Sequence, residues 1–234
     1  MNIRSGNVAA GALVIATLSV ASVIAGGGGA APTDASSLLA SAVRNTNHVR
    51  TLVHHDTIRT TVPRGTISST ITGREDEVAN REDDIEHVTV HLPDSKGTLK
   101  TLHYTIEVIF LHGKTYARSS LAGNTWKSGK GMTFVDPFTG GFRRGRTKMI
   151  MPKGGVRTIG KSGSTVHVRG TYVQGKSRGP IDVWYTTGSV PYVSRERYAV
   201  TRGSGAKHQV TIIDTHMGPF NQAVVIQPPG GTST

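Results

Sequence analysis

The chain contains no cysteine. That excludes thiol nucleophiles, thiolate metal sites and disulfides, and it leaves the compartment open, because exported domains can dispense with bridges. Two further chemistries lack their signatures. No H-E-x-x-H or comparable ligand set accompanies the ten histidines, and no G-x-S-x-G marks a nucleophile elbow. The expectation is a protein that is not an enzyme, with no catalytic residues, no metal and no other cofactor. Acidic residues are also scarce, 15 against 27 lysines and arginines, for a formal charge of +12. Such an excess draws a protein to anionic surfaces.

What is present first is an export-like N-terminus. Met1 to Ala31 holds one charge, Arg4, then a moderately apolar run from Val8 to Ala25, then Gly26 to Gly29 and Ala30-Ala31-Pro32. This is the layout of a secretory signal peptide, or of an N-terminal membrane segment if it is retained. Val23-Ile24-Ala25-Gly26 resembles the stretch before the lipid-modified cysteine of bacterial lipoproteins, but Gly27 stands where that cysteine would be. Loss of Arg4 with the leader lowers the formal charge from +12 to +11. An exported basic chain meets lipid head groups and cell-wall polymers, so an anionic membrane surface is a candidate partner and nucleic acid is not expected.

Residues 32–229 are enough for one core, with 230–234 as a tail, and a monomer is expected. Thr33 or Asp34 can cap a helix over about residues 35 to 48, where Leu38, Leu39, Ala42, Val43 and Val49 recur at helical spacing. From Thr51 the period becomes two. Leu52, Ile58 and Val62 share a face, Pro63-Arg64-Gly65 turns the chain, and Ile67 and Ile71 follow. Val88 and Val90, then Tyr104, Ile106, Val108 and Phe110, continue the alternation to the reversal at His112-Gly113-Lys114. Further on, Ile181, Val183 and Tyr185 alternate with Asp182, and Val210 and Ile212 oppose Gln209 and Thr211. This predicts a long antiparallel meander with one face buried.

Three stretches invite a sharper interpretation. Glu75 to Glu86 holds seven of the fifteen acidic residues but lacks the ordered ligands and central glycine of an EF-hand, so it is expected to be a solvated strand-turn-strand tip. Gly155 to Ser162 and Gly170 to Ser177 both satisfy G-x-x-x-x-G-K-[ST]. Each is followed by a strand-like run where the phosphate-binding loop needs a helix, so both are expected to be meander turns. Residues 123–154 carry Trp126, Phe134, Phe138 and Phe142 among Arg143, Arg144, Arg146 and Lys148, with Met149 to Met151 at the end. Aromatics on a basic, irregular segment suit a lid or a membrane-docking loop, and equally a loop that packs on the core.

The order of these pieces resembles the LolA/LppX-like lipoprotein and lipid carriers. The resemblance lies in Gly113-Lys114-Thr115-Tyr116-Ala117-Arg118 ahead of Asn124-Thr125-Trp126, in Ile181-Asp182-Val183-Trp184 before Gly188-Ser189-Val190-Pro191, and in Val210-Thr211-Ile212 before Ile226-Gln227-Pro228-Pro229. It covers about residues 35–229. It implies an α+β, mainly antiparallel fold: an incompletely closed half-barrel with the N-terminal helix and a middle lid segment on its concave side. It also implies a non-enzymatic envelope or secreted carrier for a lipid or acylated molecule, with an envelope sensor that binds a protein partner as the alternative. On that plan Ile67, Val88, Val90, Tyr104, Ile106, Val108, Phe110, Val166, Val168, Ile181, Val183 and Val210 line the concave face, around a cavity or as a filled core.

Overall fold

The computed structural model describes residues 35–130, 149–174, 177–205 and 208–230. Helix α1 (Ala35–Asn47) forms where the apolar spacing predicts it, and buries Leu39, Ala42 and Val43 along one stripe. One turn later Thr46 bonds both ways. Its hydroxyl donates to the Ala42 carbonyl at 2.9 Å and accepts the Val193 N–H at 2.8 Å, which ties the helix to the sheet. The Asn45 side chain adds a bond to the Pro191 carbonyl.

Eleven strands follow: β1 (Thr51–Val62), β2 (Gly65–Asp76), β3 (Arg81–Pro93), β4 (Leu99–Leu111), β5 (Lys114–Ser119), β6 (Lys127–Lys130), β7 (Gly154–Ser162), β8 (Thr165–Gln174), β9 (Ser177–Thr186), β10 (Val193–Arg202) and β11 (Gln209–Phe220). They make one antiparallel sheet in the order β6-β5-β4-β3-β2-β1-β11-β10-β9-β8-β7. Two meanders are thus joined where β1 pairs with β11. The terminal strands β6 and β7 do not pair with each other, so the sheet is an open half-barrel. Tight turns connect neighbours; His112 and Gly113 both take positive φ, 50° and 79°, as a two-residue hairpin turn of type I′ requires.

Gly155 to Ser162 lies within β7 and leads through Gly163 and Ser164 into β8, and Ser177 opens β9. Neither phosphate-loop pattern is followed by a helix, so neither offers an anion a helix N-terminus. Phe134, Phe138, Phe142, Arg143, Arg144, Arg146 and Lys148 lie outside the described residues, as do Thr33 and Asp34. Trp126 is half-buried under the Arg118 guanidinium, 4.8 Å from the ring centre. Met149 is buried against the helix and its N–H bonds to Asn47, so this end of the irregular segment packs into the core.

The register corrects one expectation about facing. Thr60 pairs with Thr211, and their hydroxyls meet at 3.0 Å on the inner face. Thr211 is therefore buried, and Val210, assigned above to the concave face, points outward opposite Thr61. The run Val210-Thr211-Ile212-Ile213 has apolar residues in both phases, so its alternation is ambiguous in isolation. Its partner strand decides: Ile58 faces inward, and Ile213 pairs with it.

Candidate functional site: the concave face

Two apolar clusters sit on the inner face, one on each meander. The first gathers Val166, Val168, Ile181 and Val183 with Tyr172, Tyr185 and Val193 under the helix residues Leu39, Ala42 and Val43. Helix α1 packs on β9 and β10. The second consists of Val88, Val90, Tyr104, Ile106, Val108 and Ala117, with Ile67 and Leu92 at its margin, and all of these residues belong to β2–β5. Phe110 is buried one row further along β4. At the opposite rim Leu102, which pairs with Val90, is 36 % exposed, and Leu121, in the short turn after β5, is 45 % exposed. Ten of the twelve predicted concave residues thus fall into two clusters on one inner face, with Phe110 buried beside the second and Val210 turned outward.

Between the clusters runs a polar midline that the sequence reading missed. His54 and Asp56 on β1 are in phase with Leu52 and Ile58, and Asp84 and Glu86 on β3 are in phase with Val88 and Val90, so all four project inward. Glu75 joins them from β2 and Glu196 from β10. The signal was available in the alternation itself: the parity of the apolar residues extends through these polar ones. It corrects the expectation for residues 75–86. The tip at Glu77 to Asn80 is exposed apart from Ala79, but Glu75, Asp76, Asp84 and Glu86 are buried.

A missing side chain makes the midline possible. The register aligns His54, Gly73 and Asp84 across β1, β2 and β3. Because Gly73 has no Cβ, the imidazole reaches over β2, and its Nε2 lies 3.1 Å from Asp84 Oδ1. A Cβ at Gly73 would sit 1.7 Å from that oxygen and 2.2 Å from the imidazole nitrogen. On the other side of the ring, Nδ1 bonds to Asp56 at 3.1 Å, and Glu75 stands 3.9 Å from Nε2. Burial opposes charge on His54, yet the two flanking aspartates outweigh it and push its pKa up to about 11. The ring is therefore a doubly protonated imidazolium held between carboxylates.

Glu196 behaves in the opposite way. Burial pushes its pKa up to about 8, and the Ile150 N–H, donated at 3.0 Å, offsets this only in part. Near neutrality it is mostly a neutral acid. Burial also raises the neighbouring Tyr198 phenol, with the nearby Glu196 adding to the effect. Among the described residues no group of three or more His, Asp or Glu side chains is arranged to hold a metal ion, and no helix is long and apolar enough to cross a membrane. What this face offers chemically is a large apolar surface crossed by buried, fixed charge.

No protein-family model matches the chain, and no curated protein matches it. Solved structures do. LprF from Mycobacterium bovis matches at 16 % identity and a TM-score of 0.45, over 84 % of this chain and 97 % of that one. The Mycobacterium tuberculosis lipoprotein LppX matches at 13 % and 0.40, over 83 % and 100 %. A DUF1329 family protein from Desulfovibrio piger matches at 9 % and 0.29, over 84 % and 94 %. With every TM-score below 0.5 and identities this low the likeness carries no argument, and any functional reading has to rest on this chain's own residues.

Proposed function

We propose that the chain is an exported, non-enzymatic carrier that holds a lipid or acylated molecule against the β2–β5 part of its concave face. The observation that supports this is the asymmetry of the inner face. Helix α1 packs on β9 and β10, whereas the second apolar cluster is built, among the described residues, from strand residues alone and runs out to the exposed Leu102 and Leu121. A buried apolar cluster in which helix α1 has no share suits a hydrocarbon guest. In this reading residues 1–31 direct export, residues 32–229 form the carrier domain, and the basic aromatic segment after β6 meets the membrane or covers the guest.

Native mass spectrometry of gently purified protein, followed by displacement of a fluorescent fatty acid from delipidated protein, tests the proposal. An acyl species should co-purify, and Ile106→Arg should abolish probe binding while Leu121→Ala weakens it. Absence of both bound lipid and probe binding would refute it. Stoichiometric capture of an envelope protein without lipid would favour the protein-interaction role instead.

A further inference from the structure

The sheet sorts its charge by face. Six acidic side chains, Asp56, Glu75, Glu82, Asp84, Glu86 and Glu196, project inward from the strands. The strand carboxylates that project outward among the described residues are each held by an arginine. Arg81 takes Asp76 at 2.6 Å, Arg74 takes Asp83, and Arg118 takes Glu107 at 2.6 Å. Arg169 holds Asp182 with two bonds of 2.9 and 3.0 Å, and Arg195 holds Asp214 with two of 2.8 and 2.6 Å. Four outward arginines remain in excess: Arg59 on β1, Arg157 on β7, Arg178 on β9 and Arg197 on β10. All four are exposed, and Arg197 approaches Asp214 no closer than 3.9 Å. The convex face is therefore cationic with its anions already neutralised.

Hydrogen-bonding groups cover the rest of that face. Across β3 and β4, His87, Thr89 and His91 bond in turn to Thr105, His103 and Thr101, at 3.2, 3.0 and 2.9 Å. His55 bonds to Thr72 across β1 and β2. Each pair is solvent-exposed, so hydroxyls and imidazoles stand beside the arginines as further partners for oxyanions.

We infer that the convex face is a docking surface for a flexible polyanion, a linear polymer with phosphate or carboxylate groups recurring along its length. Charge complementarity sets the sign of the partner, and the shape of the face sets its flexibility. A convex sheet meets a flat bilayer only along a narrow strip, whereas a flexible chain follows the curvature from one arginine to the next. The face also lacks a wedge for lipid. Its exposed apolar side chains are scattered: Leu99 stands at the start of β4, Ile85 near the other end of β3, and Val173 on β8, six strands from β3 in the sheet. This inference is independent of what the concave face carries.

The test is equilibrium binding of the full chain to long-chain inorganic polyphosphate and to polygalacturonate, with phosphatidylglycerol vesicles in parallel, across a salt series. The triple variant Arg59→Gln/Arg178→Gln/Arg197→Gln is compared with Lys96→Gln/Lys100→Gln/Lys127→Gln, which removes the same charge away from this face. Circular dichroism and thermal melting confirm that both are folded. The convex triple should weaken binding to at least one polymer by about tenfold and flatten its salt dependence, and the control should change it less than about twofold. Equal losses in the two triples would reduce the effect to net charge and overturn the inference. Binding to vesicles but to neither polymer would overturn it as well, in favour of a membrane.

Discussion

The two meanders, β1–β6 and β7–β11, are both antiparallel and pleated with one phase inward, yet they use their inner faces differently. The β7–β11 arm is finished: α1 presses Leu39, Ala42 and Val43 onto Val168, Ile181 and Val183, and Thr46 and Asn45 fasten it with side-chain hydrogen bonds. The β2–β5 arm repeats the apolar pattern without a share in that helix. Between them lies a band of buried charge, of a kind that costs stability unless every member is paired. The comparison teaches that one pattern of alternation can serve two ends. In one arm α1 supplies the second layer of the core; in the other the same alternation buries its residues with no share in that helix.

The largest expected effect comes from disturbing the band that separates the arms. Gly73→Val puts side-chain atoms where His54 and Asp84 meet, which breaks a buried ion pair, and should cost about 3–5 kcal/mol in urea unfolding. If it is tolerated within about 1 kcal/mol, the charged band does not join the two arms as described. Truncation within the arms comes next. Leu39→Ala should cost about 3 kcal/mol as an ordinary core deletion, whereas Ile106→Ala, equally buried, should cost about half as much in delipidated protein. Equal losses would make both arms cores and remove the basis for a guest.

A smaller, pH-dependent effect sharpens the contrast between the two charged groups. Glu196 and His54 both bind their proton more tightly when folded, so each contributes stability that is lost as pH rises. For Glu196 the loss runs from about 4.5 to about 8; for His54 it runs from about 6.5 to about 11. Asp76, Asp182 and Asp214 have depressed pKa values through their hydrogen bonds and arginine partners, against the opposing effect of burial, and act in the other direction, withdrawing stability as pH falls below the usual carboxylate range. Stability should therefore peak in mild acid. Glu196→Gln should flatten the decline between pH 5 and 8, by an amount on the order of 2 kcal/mol at the upper end, in urea titrations at each pH. An unchanged pH profile would show that Glu196 ionises in the folded protein as freely as in the unfolded chain.

Much of the fold was legible from local pattern. The helix, the reversal at His112-Gly113, the strand exits of both phosphate-loop patterns and the antiparallel meander all follow from short-range spacing, because backbone propensity and period act over a few residues, whereas the open half-barrel was implied by the family resemblance. The inner face was legible only where one phase was apolar and the other polar. It failed at Val210, where both phases are apolar, and at Glu75 to Glu86, where charge in the inward phase looked like solvated surface. In both places the deciding information sat on another strand: Thr60 for the first, and His54 with Gly73 for the second.

The amino-acid order alone therefore settled that a helix precedes an antiparallel meander, that thiol chemistry is absent and that the molecule is basic, since each of these depends on composition or on neighbours in the chain. Only the tertiary structure decided which arm the helix would close, that six acids would turn inward while arginines held the outer ones, and that unpaired arginines would lie on the convex side. Those outcomes depend on which strands lie side by side, and cross-strand register is set by partners far apart in sequence.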